Sequence, residues 1–319
     1  MKLLYAASNN INSRIVLSRT YPYIKERGQL KIAAYRKSSP ENIPIDWTLD
    51  CLYNILFPET LSADNNENIS IYYDQIKHYS PDLIISDLEW TTSSIGISLN
   101  IPVIQYSSLL SNNAIIEIDK APIFKKFSYL TNRDPEHTAM AFNIITNSEC
   151  NFFYSHIGDI ENPPTLKDNI KWIRPYSKIG KEGERRKIVS YQEVLNKKAL
   201  SYIKRYNSII YSSFTDESYK NIQLKKVSDE YYDDLFNCSM FVSSGQESLL
   251  ADAYYNNKYA VIIPDFTDAE CIISSMFDEK YKLGSIIYDR KELPNFFGRK
   301  VISEKKENIF QLHDFLDNM

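Results

Sequence analysis

Short apolar runs alternate with amphipathic stretches along most of this chain. KLLYAAS (2–8) is an apolar run followed by the turn residues Ser8, Asn9 and Asn10, the pattern of a buried parallel strand. From Ser13 to Arg27 the apolar positions Ile15, Val16, Tyr23 and Ile24 recur at roughly helical spacing. Pro22 disfavours an unbroken helix there, and Gly28 stops it. LKIAAY reads as a second strand, so the chain opens β-loop-α-β, a Rossmann-type start. Residues 67–79 read as a helix ended by Pro81 and Asp82. LIIS follows as a buried strand, 91–99 as a short helix and IPVIQY as the next strand. CNFFYSH (150–156) reads as the last strand of this half.

The segment 161–176, ENPPTLKDNIKWIRPY, carries three prolines and reads as a linker. A second alternation follows it. KIVSY is a strand, about 192–206 a helix, NSIIYSS and NIQLKKV are strands, and about 229–236 is a helix. SMFVSS is a strand, 246–256 a helix, AVIIP a strand and 268–281 a helix. Strands alternating with helices imply parallel sheets with crossover connections. Ile309, Phe310, Leu312, Phe315 and Leu316 give 303–318 one apolar face, the mark of a packing helix. The expected organisation is a domain over 1–165, a second over 166–300 and a C-terminal helix over 301–319. A length of 319 residues suits two domains.

Composition narrows the function. With 37 basic against 41 acidic residues, a net charge of -4, coating nucleic acid by bulk charge is disfavoured. No apolar run approaches the roughly 20 residues that span a bilayer, and the N-terminal run is too short for a signal sequence. Cys51, Cys150, Cys238 and Cys271 form no close pair, which points to a reducing, cytoplasmic setting. His78, His137, His156 and His313 lie far apart, so no metal site is expected. With 8 glycines in the chain, a phosphate cradle built from several of them is disfavoured.

Two places carry candidate chemistry. Ligands of open parallel sheets bind beyond the carboxyl ends of the strands, where Ser86, Asp87 and Glu89 fall. Farther on, Ser244-Gly245-Gln246-Glu247-Ser248 occupies a strand-to-helix turn. A glycine there lets main-chain N–H groups of the helix N-terminus approach a diphosphate, and the Ser248 hydroxyl can add one more hydrogen bond.

SMFVSSGQESLLADAYYNNKYAVIIPDFTDAECIISSMFDEKYKLG (239–284) resembles the donor-site region of GT-B glycosyltransferases of the MurG and UDP-glycosyltransferase group. In those proteins a strand leads to a T-G-G-H-T turn, a helix with an acidic residue, a strand ending in Pro, and an E-Q helix closed by Gly. Here Ser244 to Ser248 fill the first motif and Asp252 the acidic place. Pro264 ends the strand, Asp268, Glu270 and Cys271 stand at the E-Q end, and Gly284 closes the helix. PDLIISDLEW followed by NIPVIQY resembles the N-terminal half of the same superfamily. Together the matches cover about a quarter of the chain.

The resemblance implies an α/β fold of two Rossmann-like domains facing each other across a cleft, the GT-B architecture. It implies a metal-independent glycosyltransferase with no cofactor beyond its donor, a UDP- or GDP-sugar. Asp268 or Glu270 would then bind the donor's hydroxyls, and Asp252 is a further ribose candidate. The acceptor stays open among a glycan, a lipid met by peripheral membrane contact, and a modified DNA base. Departures from the pattern matter too. Where relatives carry G-x-G-H-x-x-R after the first strand, this chain has SNNINSR: only Arg14 matches, and Asn12, next to Ile11 at the aligned position, is the candidate in place of the His. Asparagine takes no proton at neutral pH, so Asp87 or Glu89 becomes the candidate base. Glu247 stands where relatives carry His, with Arg174, Arg185, Arg186 or Lys187 as candidates to offset its charge. Two alternatives follow from these losses: a non-catalytic GT-B-like binding protein, and a nucleotide-sugar epimerase.

Overall fold

The structure is a computed structural model. It describes residues 1–8, 11–50, 63–87, 89–107, 147–154, 170–173, 177–183, 186–192, 197–212, 220–263 and 282–301. These residues fall into two compact units, the first containing the strand that ends at Ile173 and the second taking up the chain from Ser177.

The first unit is built on β1 (Lys2–Ala7), α1 (Ile11–Lys25), β2 (Gln29–Ala34), β3 (Trp47–Thr48), α2 (Ala63–Tyr79), β4 (Leu83–Asp87), α3 (Trp90–Ser98), β5 (Val103–Ser107), β6 (Cys150–Tyr154) and β7 (Ile170–Ile173). Its strands form one parallel sheet in the order β3-β2-β1-β4-β5-β6-β7. Successive side chains of β1 point to opposite faces. Leu3, Tyr5 and Ala7 pack with Val16, Leu17 and Ile24 of α1, while Leu4 and Ala6 pack with Tyr72 and Ile76 of α2 and Ile95 of α3. A sheet covered on both faces needs strands apolar on both faces, and this is why its central strands read as unbroken apolar runs.

Turn chemistry sets the ends of these elements. α2 stops at Ser80, which adopts a φ of 51° and donates its N–H to the carbonyl of Ile76 at 2.8 Å. Pro81 follows at once. At Gly28 a Cβ would lie 2.0 Å from the carbonyl oxygen of Met1, so no side chain fits where β2 begins beside β1.

The second unit repeats the plan with β8 (Arg186–Tyr191), α4 (Lys197–Ile203), β9 (Ser208–Tyr211), β10 (Ile222–Lys225), α5 (Glu230–Asn237), β11 (Cys238–Ser243), α6 (Glu247–Tyr255), β12 (Ala260–Ile262) and β13 (Gly284–Ile286). The parallel order is β10-β9-β8-β11-β12-β13. Ile188, Met240, Val242 and Val261 form one core with Ala199, Leu200 and Ile203 of α4. On α5, Tyr231 meets the rings of Tyr191 and Tyr211 edge-on at 5.3 and 5.2 Å.

Several expectations change. The run 150–156 does not end the first sheet, because Ile170–Ile173 of the expected linker adds a seventh strand beside it. Its four residues are hidden among prolines. α1 continues through Pro22, with burial of Val16, Leu17 and Ile24 outweighing the lost hydrogen bond near the helix end. Gly284 opens a strand rather than closing a helix. The expected start of a helix near 192 shifts to Lys197, since Gln192 still pairs with β9 through its N–H to Tyr211 at 2.9 Å. The predicted helices at 268–281 and 303–318 lie outside the described residues.

Candidate active site

In each sheet the strand order reverses direction between two central neighbours, β1 and β4 in the first, β8 and β11 in the second. Crossovers leave these neighbours on opposite faces, which opens a crevice beyond their carboxyl ends. Asp87 ends β4 at the first such point, and Ser244 follows β11 at the second.

At the first point the N–H of Ser8, just past β1, donates to the carbonyl of Asp87 at 3.1 Å. The hydroxyls of Ser8 and Ser13 lie 2.8 Å apart, and Ser13 hydrogen-bonds the Asp87 carboxyl. Asp87 is 4% exposed, and its Oδ2 has no hydrogen-bond partner among the described residues. Burial pushes this carboxyl up to about 7, against a smaller downward pull from Ser13. An acid with that value beside a ligand crevice is half ionised near neutrality, as a general base requires. Asn12 and Arg14 are both buried in the first turn of α1, next to Ser13. The indole N–H of Trp90, at the start of α3, is likewise buried without a partner among the described residues.

Glu89, two residues on, is built for a different task. It is the N-cap of α3. Its Oε1 accepts from the N–H of Thr91 at 3.3 Å and from the Tyr35 hydroxyl at 3.2 Å. Its Oε2 accepts from the N–H of Thr92 at 2.6 Å and from the Thr92 hydroxyl. Burial raises its carboxyl, and the bonds from Thr92, Thr91 and Tyr35 oppose that rise. With both oxygens engaged, Glu89 holds the loop between β4 and α3 and leaves Asp87 as the carboxylate with a vacant oxygen. Ser86 completes the support by donating its hydroxyl to the Glu89 carbonyl at 3.1 Å and accepting the Glu89 N–H at 3.0 Å.

At the second point Ser243, Ser244, Gln246, Glu247 and Ser248 are all buried. Gly245 adopts a φ of 99°, open to glycine at little cost, and donates its N–H to the Ser243 hydroxyl at 3.0 Å. The Ser244 hydroxyl donates to the side-chain oxygen of Gln246, the N-cap residue of α6. Glu247 and Ser248 form the first turn of α6, where main-chain N–H groups lack helical partners. Beside this turn lies a buried residue the sequence reading missed: Gln192, at the end of β8, donates to the Ser190 hydroxyl at 3.1 Å. A lone Gln after an apolar strand gave no signal; its place appears only once β8 is known to neighbour β11.

Other expected members separate from this group. Asp252 is fully buried and accepts the Tyr231 hydroxyl at 3.0 Å, so it ties α6 to α5 inside the core. Arg186 and Lys187 begin β8, at the end of the strand away from Gln192. Asp268, Glu270, Arg174 and Arg185 lie outside the described residues. Among the described residues no three His, Cys, Asp or Glu side chains converge as a metal site would need, and no helix is long and apolar enough to cross a membrane.

Comparison with known proteins agrees with the fold of the two units. The model of glycosyl transferase family 1 matches residues 50–299. No curated protein matches the chain by sequence. Among solved structures, the spinosyn forosaminyltransferase SpnP aligns with a TM-score of 0.56 at 13% identity, over 93% of this chain and 89% of its own. MurG of Acinetobacter baumannii aligns with a TM-score of 0.54 at 12% identity, over 92% and 88%. A Streptomyces glycosyltransferase, SsfS6, solved in complex with thymidine diphosphate, aligns with a TM-score of 0.51 at 12% identity, over 90% and 87%. These likenesses identify the fold as GT-B, with two Rossmann-type units.

Proposed function

This chain belongs to glycosyl transferase family 1, and from that premise we propose that it moves a sugar from a nucleoside diphosphate donor to an acceptor hydroxyl, without a metal, using Asp87 as the base. The observation that carries the reading is the Asp87 carboxyl, buried with a vacant oxygen at the crevice of the first sheet and pushed up to about 7. The acceptor hydroxyl gives its proton to Asp87 Oδ2 as its oxygen attacks the anomeric carbon. The bond from that carbon to the phosphate oxygen breaks, and the nucleoside diphosphate leaves with the electron pair. A single displacement of this kind inverts the anomeric configuration.

The donor diphosphate belongs at the second unit's Gly245 turn, where the α6 N-terminus offers N–H groups and a favourable dipole. Ser248 adds a hydroxyl there, and Asp268 or Glu270 is assigned to the donor's sugar hydroxyls. The nucleotide is drawn from UDP, GDP and, given the thymidine diphosphate bound by the Streptomyces relative, dTDP.

Thermal-shift titration with UDP-, GDP-, ADP- and dTDP-sugars tests the reading. One series at a hundred times its dissociation constant should stabilise the protein by about 2.7 kcal/mol. Ser248→Ala should weaken binding of that donor by roughly 1–2 kcal/mol. The absence of a shift with every donor at millimolar concentration sinks the transferase reading and favours the non-catalytic alternative. Release of free sugar or an epimer without any acceptor would favour the epimerase.

A further inference from the structure

The amino ends of β1 and β2, opposite the Asp87 edge, carry a second feature. A depression of about 350 Å³ is lined by Lys2, Gln29, Lys31, Trp47, His78 and Tyr79, with Gln75 at its rim. That volume lies within the range of small-ligand sites. The Lys31 ammonium sits 4.6 Å from the ring centre of Trp47 and 4.8 Å from that of Tyr79. The Lys2 ammonium lies 5.7 Å from the Tyr79 ring and donates to the Tyr79 carbonyl at 3.2 Å. Neither lysine forms an ion pair among the described residues. The nearby carboxylates are Asp82, which accepts the Lys2 main-chain N–H at 2.7 Å, and Asp46, which accepts the Ile32 N–H at 2.9 Å. Two ammonium groups thus lie beside aromatic rings with no ion-pair partner among the described residues.

We infer that this depression is an accessory site for an anionic carbohydrate chain whose charge is carried by carboxylate or phosphate groups. Lys2 and Lys31 supply the cations. The amides of Gln29 and Gln75 each offer a donor and an acceptor, the pairing that neighbouring sugar hydroxyls require. The ammonium over the Trp47 and Tyr79 rings occupies the surface on which a nucleobase would stack, which directs the site away from nucleotides. Lys2, Gln29, Gln75 and His78 are exposed, so the depression is open on one side, as a passing chain needs. The six residues of β1 put about 20 Å between this site and Asp87. A polymer bound here would raise the effective concentration of its free end at the crevice. Only this last role, as acceptor anchor, rests on the transferase reading.

Fluorescence anisotropy with labelled oligogalacturonate and a labelled phosphomannan fragment tests the site, with maltohexaose and poly-glutamate as neutral and non-sugar controls. At least one anionic glycan should bind roughly tenfold tighter than either control, and which one binds identifies the charge carrier. The K2A/K31A double variant should lose roughly tenfold in affinity. So should Gln75→Glu, which adds a carboxylate on the exposed face of α2 and leaves the core intact. Asp87→Asn should bind as the native protein does. The inference is overturned if neither glycan binds, if poly-glutamate binds as tightly, or if the lysine and Gln75 variants bind normally. The measurement uses neither donor nor turnover, so its failure leaves the thermal-shift result standing, and the reverse also holds.

Discussion

Asp87→Asn should reduce turnover by about 10²- to 10⁴-fold, the usual contribution of a general base, with donor affinity almost unchanged. The native pH profile of kcat/KM should rise through a pKa near 7, and the variant should lack that limb. The same substitution should alter stability in the opposite sense. A carboxyl whose folded value lies above its unfolded value of about 3.9 keeps its proton in the folded state while the unfolded chain has lost it. Across the window from about pH 4 to 7, stability therefore falls as pH rises. Asparagine removes that dependence. Relative to the native protein, the variant should gain about 2–3 kcal/mol between pH 5 and pH 8, whatever constant cost the amide carries. Chemical denaturation at the two pH values measures the gain. An unchanged pH–rate limb would remove Asp87 from the chemistry.

Glu89→Ala should give the reverse phenotype. Removing the carboxylate costs α3 its N-cap, worth about 1 kcal/mol, and strands the buried Tyr35 hydroxyl at about 1 kcal/mol or more, while the Thr92 hydroxyl keeps the Tyr72 hydroxyl at 2.9 Å. The first unit should lose about 2–3 kcal/mol, a drop of roughly 5–10 °C in its melting transition. Turnover below that transition should fall far less than in Asp87→Asn. Calorimetry that finds a native melting curve, together with abolished turnover, would exchange the roles of the two acids.

These adjacent carboxylates mark where the sequence stops being informative. Both stand just beyond the LIIS run, and strand-end placement made both candidates. A weak signal separating them was present: an acidic residue directly before a helical stretch is favoured there by the helix dipole. The vacancy on Asp87 Oδ2 is a property of packing and cannot be read from residue order. The same divide runs through the fold. The central strands β1, β4, β8 and β11 were legible because burial on both faces demands continuous apolar runs. The edge elements Trp47–Thr48, Ile170–Ile173 and Gly284–Ile286 were not, because two to four residues beside charged or proline-rich segments carry no periodicity. Asp252 was placed on the correct helix, and only the packing of Tyr231 against it reveals that it faces inward.

The position of β1 also governs the order in which the first unit can form. It lies in the interior of its sheet, with Leu3 pairing to Leu30 on one side and to Leu83 on the other. A ribosome delivers β2 soon afterwards, yet roughly 50 further residues must follow before β4 is complete. At about 5–20 residues per second the second edge of β1 waits roughly 3–10 s for its partner. Throughout that interval an apolar strand with unpaired main-chain groups is open to pairing with another nascent chain. The second unit has a shorter delay, because Ile188 pairs with Met240 after fewer intervening residues. Slowed translation before residue 83 should therefore harm the yield of this protein more than slowed translation anywhere in its second half.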